Sequence, residues 1–179
     1  MNIFYVHRNP IIAAQSLGDK HVIKMILESA QLLSTAHRVL DGIKYTTMGK
    51  KRKVKRYTIL DARENTLYEA THINHPSAVW VRESQGHYHW LYGHFIGLLD
   101  EYSFRYNKTH KCTRLISDLV SFPNNMINSH FVDPPCAMPE EYIVPDDAIA
   151  SYRNYYNGAK KHLHSWKNRK PPDWIIQNV

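Results

Sequence analysis

The sequence predicts a mainly α-helical, single-domain bundle over residues 1–179, packed around a buried central helix, with one small β-hairpin near residues 43–60. Three observations carry that prediction. Residues 19–40, DKHVIKMILESAQLLSTAHRVL, are apolar around most of a helical circumference, with Val22, Ile23, Met25, Ile26, Leu27, Ala30, Leu33, Ala36, Val39 and Leu40 spread about the axis. From His87, the run HYHWLYGHFIGLLDEYSFRY places His87, Leu91, His94, Leu98 and Tyr102 on one stripe. Only residues 43–60, IKYTTMGKKRKVKRYTIL, carry β-type runs on both sides of a connection.

The elements follow in order. MNIFYV reads as a buried strand or extended lead-in. Asn9-Pro10 supplies an N-cap and a proline at N1 for a short helix, IIAAQSL, that runs into Gly18. Asp19 can cap the central helix, which stops at Asp41-Gly42. Residues 61–71 suit one or two helical turns. His75 precedes Pro76 as a cap for the short helix PSAVWVRES, which breaks at Gln85-Gly86 before the long helix from His87. Asn107 to Thr113 form a loop, and TRLISDLV a further short helix. Pro123, Pro134, Pro135, Pro139 and Pro145 mark residues 122–145 as connecting chain wrapped over the surface. A last helix, AIASYRNYYNGAKKHLHSW, begins near Pro145-Asp146-Asp147, with Gly158 interrupting it, and the Pro171-Pro172 pair ends helical structure.

The formal charge of +7 favours a polyanionic partner, a nucleic acid or a nucleotide. Cys112 and Cys136 read as reduced thiols in a cytoplasmic protein. No apolar run approaches the length of a membrane span. The chain has no Walker A loop, GxGxxG, GxSxG or paired CxxC, which excludes the usual NTPases, Rossmann enzymes and zinc deaminases. His72-x-x-His75, His87-x-His89 and His162-x-His164 have ligand-like spacing, yet none stands in a recognised metal pattern, so neither metal nor cofactor is expected. His94, among Trp90, Phe95 and Leu98, reads as a core histidine.

Along the central helix, His21, Lys24, Glu28, Gln31 and Thr35 make one polar seam roughly 80° wide by the helical period. Sealed in apolar surroundings, such groups must pair or line a wet cavity, because uncompensated burial costs several kcal/mol. The seam is either a Lys24–Glu28 ion pair beside a satisfied histidine or the floor of an active site. Six of the seven residues from Lys50 to Arg56 are basic (Lys50, Lys51, Arg52, Lys53, Lys55 and Arg56), flanked by Tyr45 and Tyr57. They form either a solvated loop or a phosphate-gripping flap. His75, and Arg153 between tyrosines, are further candidates for phosphate.

The stretch LGDKHVIKMILES resembles the N-terminal helix of the pyrimidine-dimer DNA glycosylases, in which a histidine precedes a catalytic glutamate by seven residues, as His21 precedes Glu28. The resemblance covers about the first thirty-five residues. The chain as a whole resembles small tailed-phage proteins, which implies the host cytoplasm as its location. The glycosylase resemblance implies an amine attacking the sugar C1′ of DNA to form a Schiff base, with Glu28 moving protons and His21 orienting the substrate. The family's nucleophile is an amine exposed by methionine removal. Here residue 2 is the bulkier Asn2, and Leu27 and Gln31 stand where the family carries arginines, so Lys24 is the candidate amine and that of Met1 the second. The alternatives are a non-catalytic phage protein that binds a nucleotide or counters a host factor, and a transferase or hydrolase on modified nucleotides in which Arg153 and His75 hold phosphate.

Overall fold

The computed structural model describes residues 1–49, 51 and 53–176. Asn9 accepts hydrogen bonds from the amides of Ile11 and Ile12 and starts α1, Pro10–Ser16. The central helix α2 spans Asp19–Asp41. Its N-cap is Gly18, which has no side chain to offer. Asp19 does not cap it; its carboxylate accepts instead from Ser165, the Lys167 amide and Arg105. An aspartate on the first turn still complements the helix dipole, while its hydrogen bonds hold the chain's tail against the start of α2.

After Gly42, strands β1 (Ile43–Met48) and β2 (Lys53–Thr58) pair antiparallel as an isolated two-stranded ribbon. Lys50 and Arg52 lie outside the described residues. A single 3-10 turn, Ala62–Asn65, follows. His75 caps α3, Pro76–Glu83, by accepting from the Ser77 amide at 3.2 Å. The next helix starts earlier than its pattern suggests. Ser84 ends α3 and also caps α4, Gln85–Tyr106, accepting from the Gly86 amide. The Gln85-Gly86 pair therefore opens a helix rather than separating two, because one well-placed serine outweighs the poor propensity of a glycine in the first turn.

α1 lies against α4, and α2 packs on α3 and α4. Gly97 makes the first contact close: a Cβ there would stand 3.1 Å from the Ala14 Cβ. Asn107, with φ 51°, closes α4 in the left-handed region. A 3-10 turn, Lys111–Leu115, leads into α5, Ile116–Leu119. Residues 120–139 then carry no helix or strand, and the last helix, α6, spans Ala148–Asn157. It is shorter than the sequence suggests, because Gly158 stops it rather than interrupting it. The lead-in is also not a strand. Residues 2–6 are buried without a ladder partner, and Phe4 turns the chain with φ 56°. Among the described residues, no helix is long and apolar enough to cross a membrane.

Candidate active site

The polar seam of α2 is only partly sealed. His21 is buried and Thr35 is buried, Gln31 is half-buried, and the Glu28 side chain is 15% exposed. Lys24, expected inside, has a side chain 63% exposed. Ile23 and Leu27 are also exposed, at 41% and 37%. The helix thus has a solvent-facing arc over residues 20–31 and is enclosed without a break only over residues 32–38. A long flexible lysine gains by keeping its ammonium in water, and no anionic neighbour deep enough draws it inward.

The arc borders a recess of about 190 Å³. His21, Lys24 and Glu28 line one wall, and the other is made by Met1, Asn2 and Phe4 with Tyr155 and Lys160. Glu28 is the carboxylate that lines it. One oxygen accepts the Asn2 amide at 3.1 Å, and the other lies 3.4 Å from the Lys24 ammonium. Asn2 is in turn fixed on three sides. Its carbonyl oxygen accepts from the Tyr152 hydroxyl and the Ile3 amide, and its amide nitrogen donates to the Ala137 carbonyl. The turn at Phe4 swings that ring over His21, with centroids 4.5 Å apart, and stacks it parallel to Tyr155. A bulky residue with positive φ costs of order 1–3 kcal/mol and persists only where the surroundings hold it, as the tilted contact with His21 and the stack on Tyr155 do.

Burial, reinforced by the charges of Lys24 and Lys160, pulls the pKa of His21 down to about 4. The ring is therefore neutral at pH 7. Tyr156 favours one tautomer: its hydroxyl accepts from the Gly18 amide at 2.7 Å, and among the described residues the hydroxyl's own proton finds an acceptor only at Nδ1 of His21, 3.2 Å away. The imidazole then carries its proton on Nε2, which has no protein partner among the described residues. His21 offers the recess a hydrogen-bond donor rather than a positive charge.

The remaining candidates fall elsewhere. His75 caps α3, and burial together with the ammonium of residue 1 and His72 lowers its pKa, against an opposing pull from Glu28. It stands close to the recess without lining it. Arg153 sits on a different groove, of about 730 Å³, with His7, Lys170 and Trp174. There its Nε donates to the Val6 carbonyl at 3.0 Å and its guanidinium lies 5.4 Å from the Trp174 ring. On α6, Arg153 and Tyr155 point about 160° apart by the helical period, so the groove and the recess flank that helix. Lys51, Lys53 and Lys55 are exposed on the hairpin and Arg56 is half-buried, none of them at the recess. Among the described residues, no cluster of three or more histidine, cysteine or acidic side chains is arranged to hold a metal ion.

Sequence reasoning missed Asn2, Phe4, Tyr155 and Lys160 as walls of the recess. Local periodicity holds no signal for them, since they come from the lead-in, the end of α6 and the turn after it. No protein-family model, curated protein or solved structure matches this chain, so what the recess does has to be argued from its own geometry.

Proposed function

We propose that the protein is an enzyme acting on a base or nucleoside in DNA, glycosylase-like, by an amine and carboxylate mechanism. One observation supports this above the others: a neutral imidazole, a carboxylate and two lysine amines meet at one small recess, beside residue 1. At about 190 Å³ it is smaller than the 300–1,000 Å³ of sites for drug-sized ligands, which suits one ring or sugar rather than a whole nucleotide. The amine lone pair would form a bond to C1′ as the glycosidic bond breaks, the base leaving with the electron pair. Glu28 would take the proton released by the amine and return it to the sugar ring oxygen as the Schiff base forms. The Nε2–H of His21 would hold a substrate oxygen.

The test is borohydride trapping on duplex DNA carrying an abasic or damaged nucleotide. The expected result is a covalent adduct, with Glu28→Gln losing turnover while binding persists. Peptide mapping assigns the amine among Lys24, Lys160 and residue 1. Absence of any adduct across these substrates, or turnover that survives Glu28→Gln, ends the proposal. The 3.4 Å Lys24–Glu28 pair supports a second reading, in which the lysine stays an ammonium and the recess binds a nucleotide without turnover, as a protein that counters a host factor would. Retained binding with no product by mass spectrometry would favour that reading.

A further inference from the structure

The hairpin is the least enclosed element of the fold. Every residue of β1 is exposed, Met48 by 73%. No acidic residue occurs between Gly42 and Leu60. The register sorts its charge. Lys44 faces Tyr57, Thr46 faces Lys55, and Met48 faces Lys53. Directly opposed residues share a face of an antiparallel pair, and alternate residues of a strand share one too. Lys44, Lys53 and Lys55 therefore stand on one face, while Arg56 stands on the other.

Free two-stranded ribbons are marginal in water, so this one needs a fixed root. It has one. The Tyr57 carbonyl accepts from Arg38 at 2.9 Å, and the Ile59 amide donates to Glu64 at 2.7 Å. Arg38 itself is 1% exposed. The root also lies on the recess side of α2. Glu28, Thr35 and Arg38 fall within about 80° of the helix circumference. The Thr71 amide donates to the Thr35 hydroxyl, on α2 between Glu28 and Arg38. From Glu28 to the end of α2 is about 20 Å at 1.5 Å per residue. That distance is about six base pairs of B-form DNA at 3.4 Å each.

From this placement we infer that the ribbon is a duplex-binding arm: its lysine face lies along the phosphates of double-stranded DNA, with the root of the ribbon about six base pairs from the nucleotide presented to the recess. The major groove, about 12 Å wide, admits a two-stranded ribbon, and the cationic face supplies the charge complementarity. The arm deepens the reading above and rests on it for the position of the recess nucleotide, but not for its charge or its shape.

The experiment measures binding of the full chain to an undamaged 30-base-pair duplex over a range of salt concentrations, which needs no turnover. In the triple variant Lys44→Ser, Lys53→Ser, Lys55→Ser, the slope of log K against log salt should shrink by about 2–3, near 0.9 per lost phosphate contact. Affinity at low salt should fall at least tenfold, with an unchanged melting temperature. The matching triple change to arginine should keep both slope and affinity. An unchanged slope in the serine variant overturns the arm, as does an equal loss in the arginine variant or a preference for single strands over duplex. A duplex bearing the abasic site, trimmed to fewer than six base pairs on one side, should lose the same factor in the wild type and nothing further in the serine variant. An altered slope without any trapped adduct would sink the glycosylase reading alone. A trapped adduct with an unaltered slope would sink the arm alone.

Discussion

Two charged clusters lie on the same helix, ten residues apart, and they are built on opposite terms. Around Arg38 nothing is left over. Its Nε donates to the Tyr68 carbonyl, one terminal nitrogen to the Tyr57 carbonyl and Glu64, and the other to the carbonyls of Glu64 and Leu67. All five donors of the guanidinium are used, which is what lets a full charge stand at 1% exposure. Around Glu28, by contrast, one oxygen has a mostly exposed lysine, the neighbouring histidine keeps a free donor, and a recess stands open between them. A saturated cluster is structural because it has no valence to offer a ligand. An unsaturated one is kept at some cost, and that is the physical ground for seeking chemistry at Glu28.

The strongest way to break this contrast is Arg38→Ala. Five acceptors lose their donor, four of them backbone carbonyls facing a buried guanidinium and one a carboxylate whose side chain is 34% exposed, which together cost about 3–5 kcal/mol. For a chain of this length that is a fall in melting temperature of about 6–20 °C, read by calorimetry or circular dichroism. Arg38→Lys should recover only part of it, since a point-charge ammonium cannot reproduce the fork. A loss under 1 kcal/mol in Arg38→Ala would mean that the cluster is not what holds the hairpin root to α2.

A smaller effect depends on pH. His37 sits next to Arg38 in the chain but in a group of its own, with Nε2 at 2.7 Å from the Tyr88 hydroxyl and Nδ1 at 2.8 Å from Arg63. Burial first, and then the Arg63 charge, pulls its pKa down to about 4, the same value as His21 in the recess. Burial brings the fully buried His94 to about 4 as well, against the opposing pull of the hydrogen bond its Nδ1 donates to the Pro10 carbonyl. Unfolded, each titrates near 6.5, so between pH 6.5 and 4 the unfolded chain binds more protons and stability falls as the pH drops. The slope is about 1.4 kcal/mol per pH unit for each histidine. Melting at pH 7, 6 and 5 should show it, and replacing any one of the three with glutamine should flatten the curve by one proton. Only His21, with its free Nε2–H, should respond further to a ligand, its titration shifting when the recess fills.

The parts of this molecule that were legible in the sequence are those that periodicity or a cap encodes. The apolar spacing of α2 and α4, Asn9 before Pro10, His75 before Pro76 and the strand–basic–strand pattern of the hairpin are all local, and the mainly helical fold with one small hairpin follows from them. Arg38 and the Arg105–Glu101–Arg169 network were invisible for the opposite reason. Arg105 donates to Glu101 one turn away, but also to Asp19, and Arg169 reaches Glu101 from the far tail. No local pattern distinguishes a charge that finds carbonyls at long range from one that stays in water. Lys24 failed in the reverse direction: flanked by isoleucine and methionine it read as enclosed, whereas its stretch of α2 borders a recess and not the core.

The smallest expected effect on stability is also the most discriminating. In Glu28→Gln, the side-chain oxygen still accepts the Asn2 amide, and only the pairing with a 63%-exposed lysine is lost. Exposed pairs contribute about 0–1 kcal/mol, so melting should shift by less than about 4 °C, in either direction. Polar groups held short of saturation for function are commonly not the groups that stabilise the fold, and removing one can even raise stability. A large loss here, comparable with Arg38→Ala, would place Glu28 among the structural carboxylates through its hold on Asn2. It would also mean that the recess is a by-product of tethering the lead-in to α2 rather than a place where a ligand reacts.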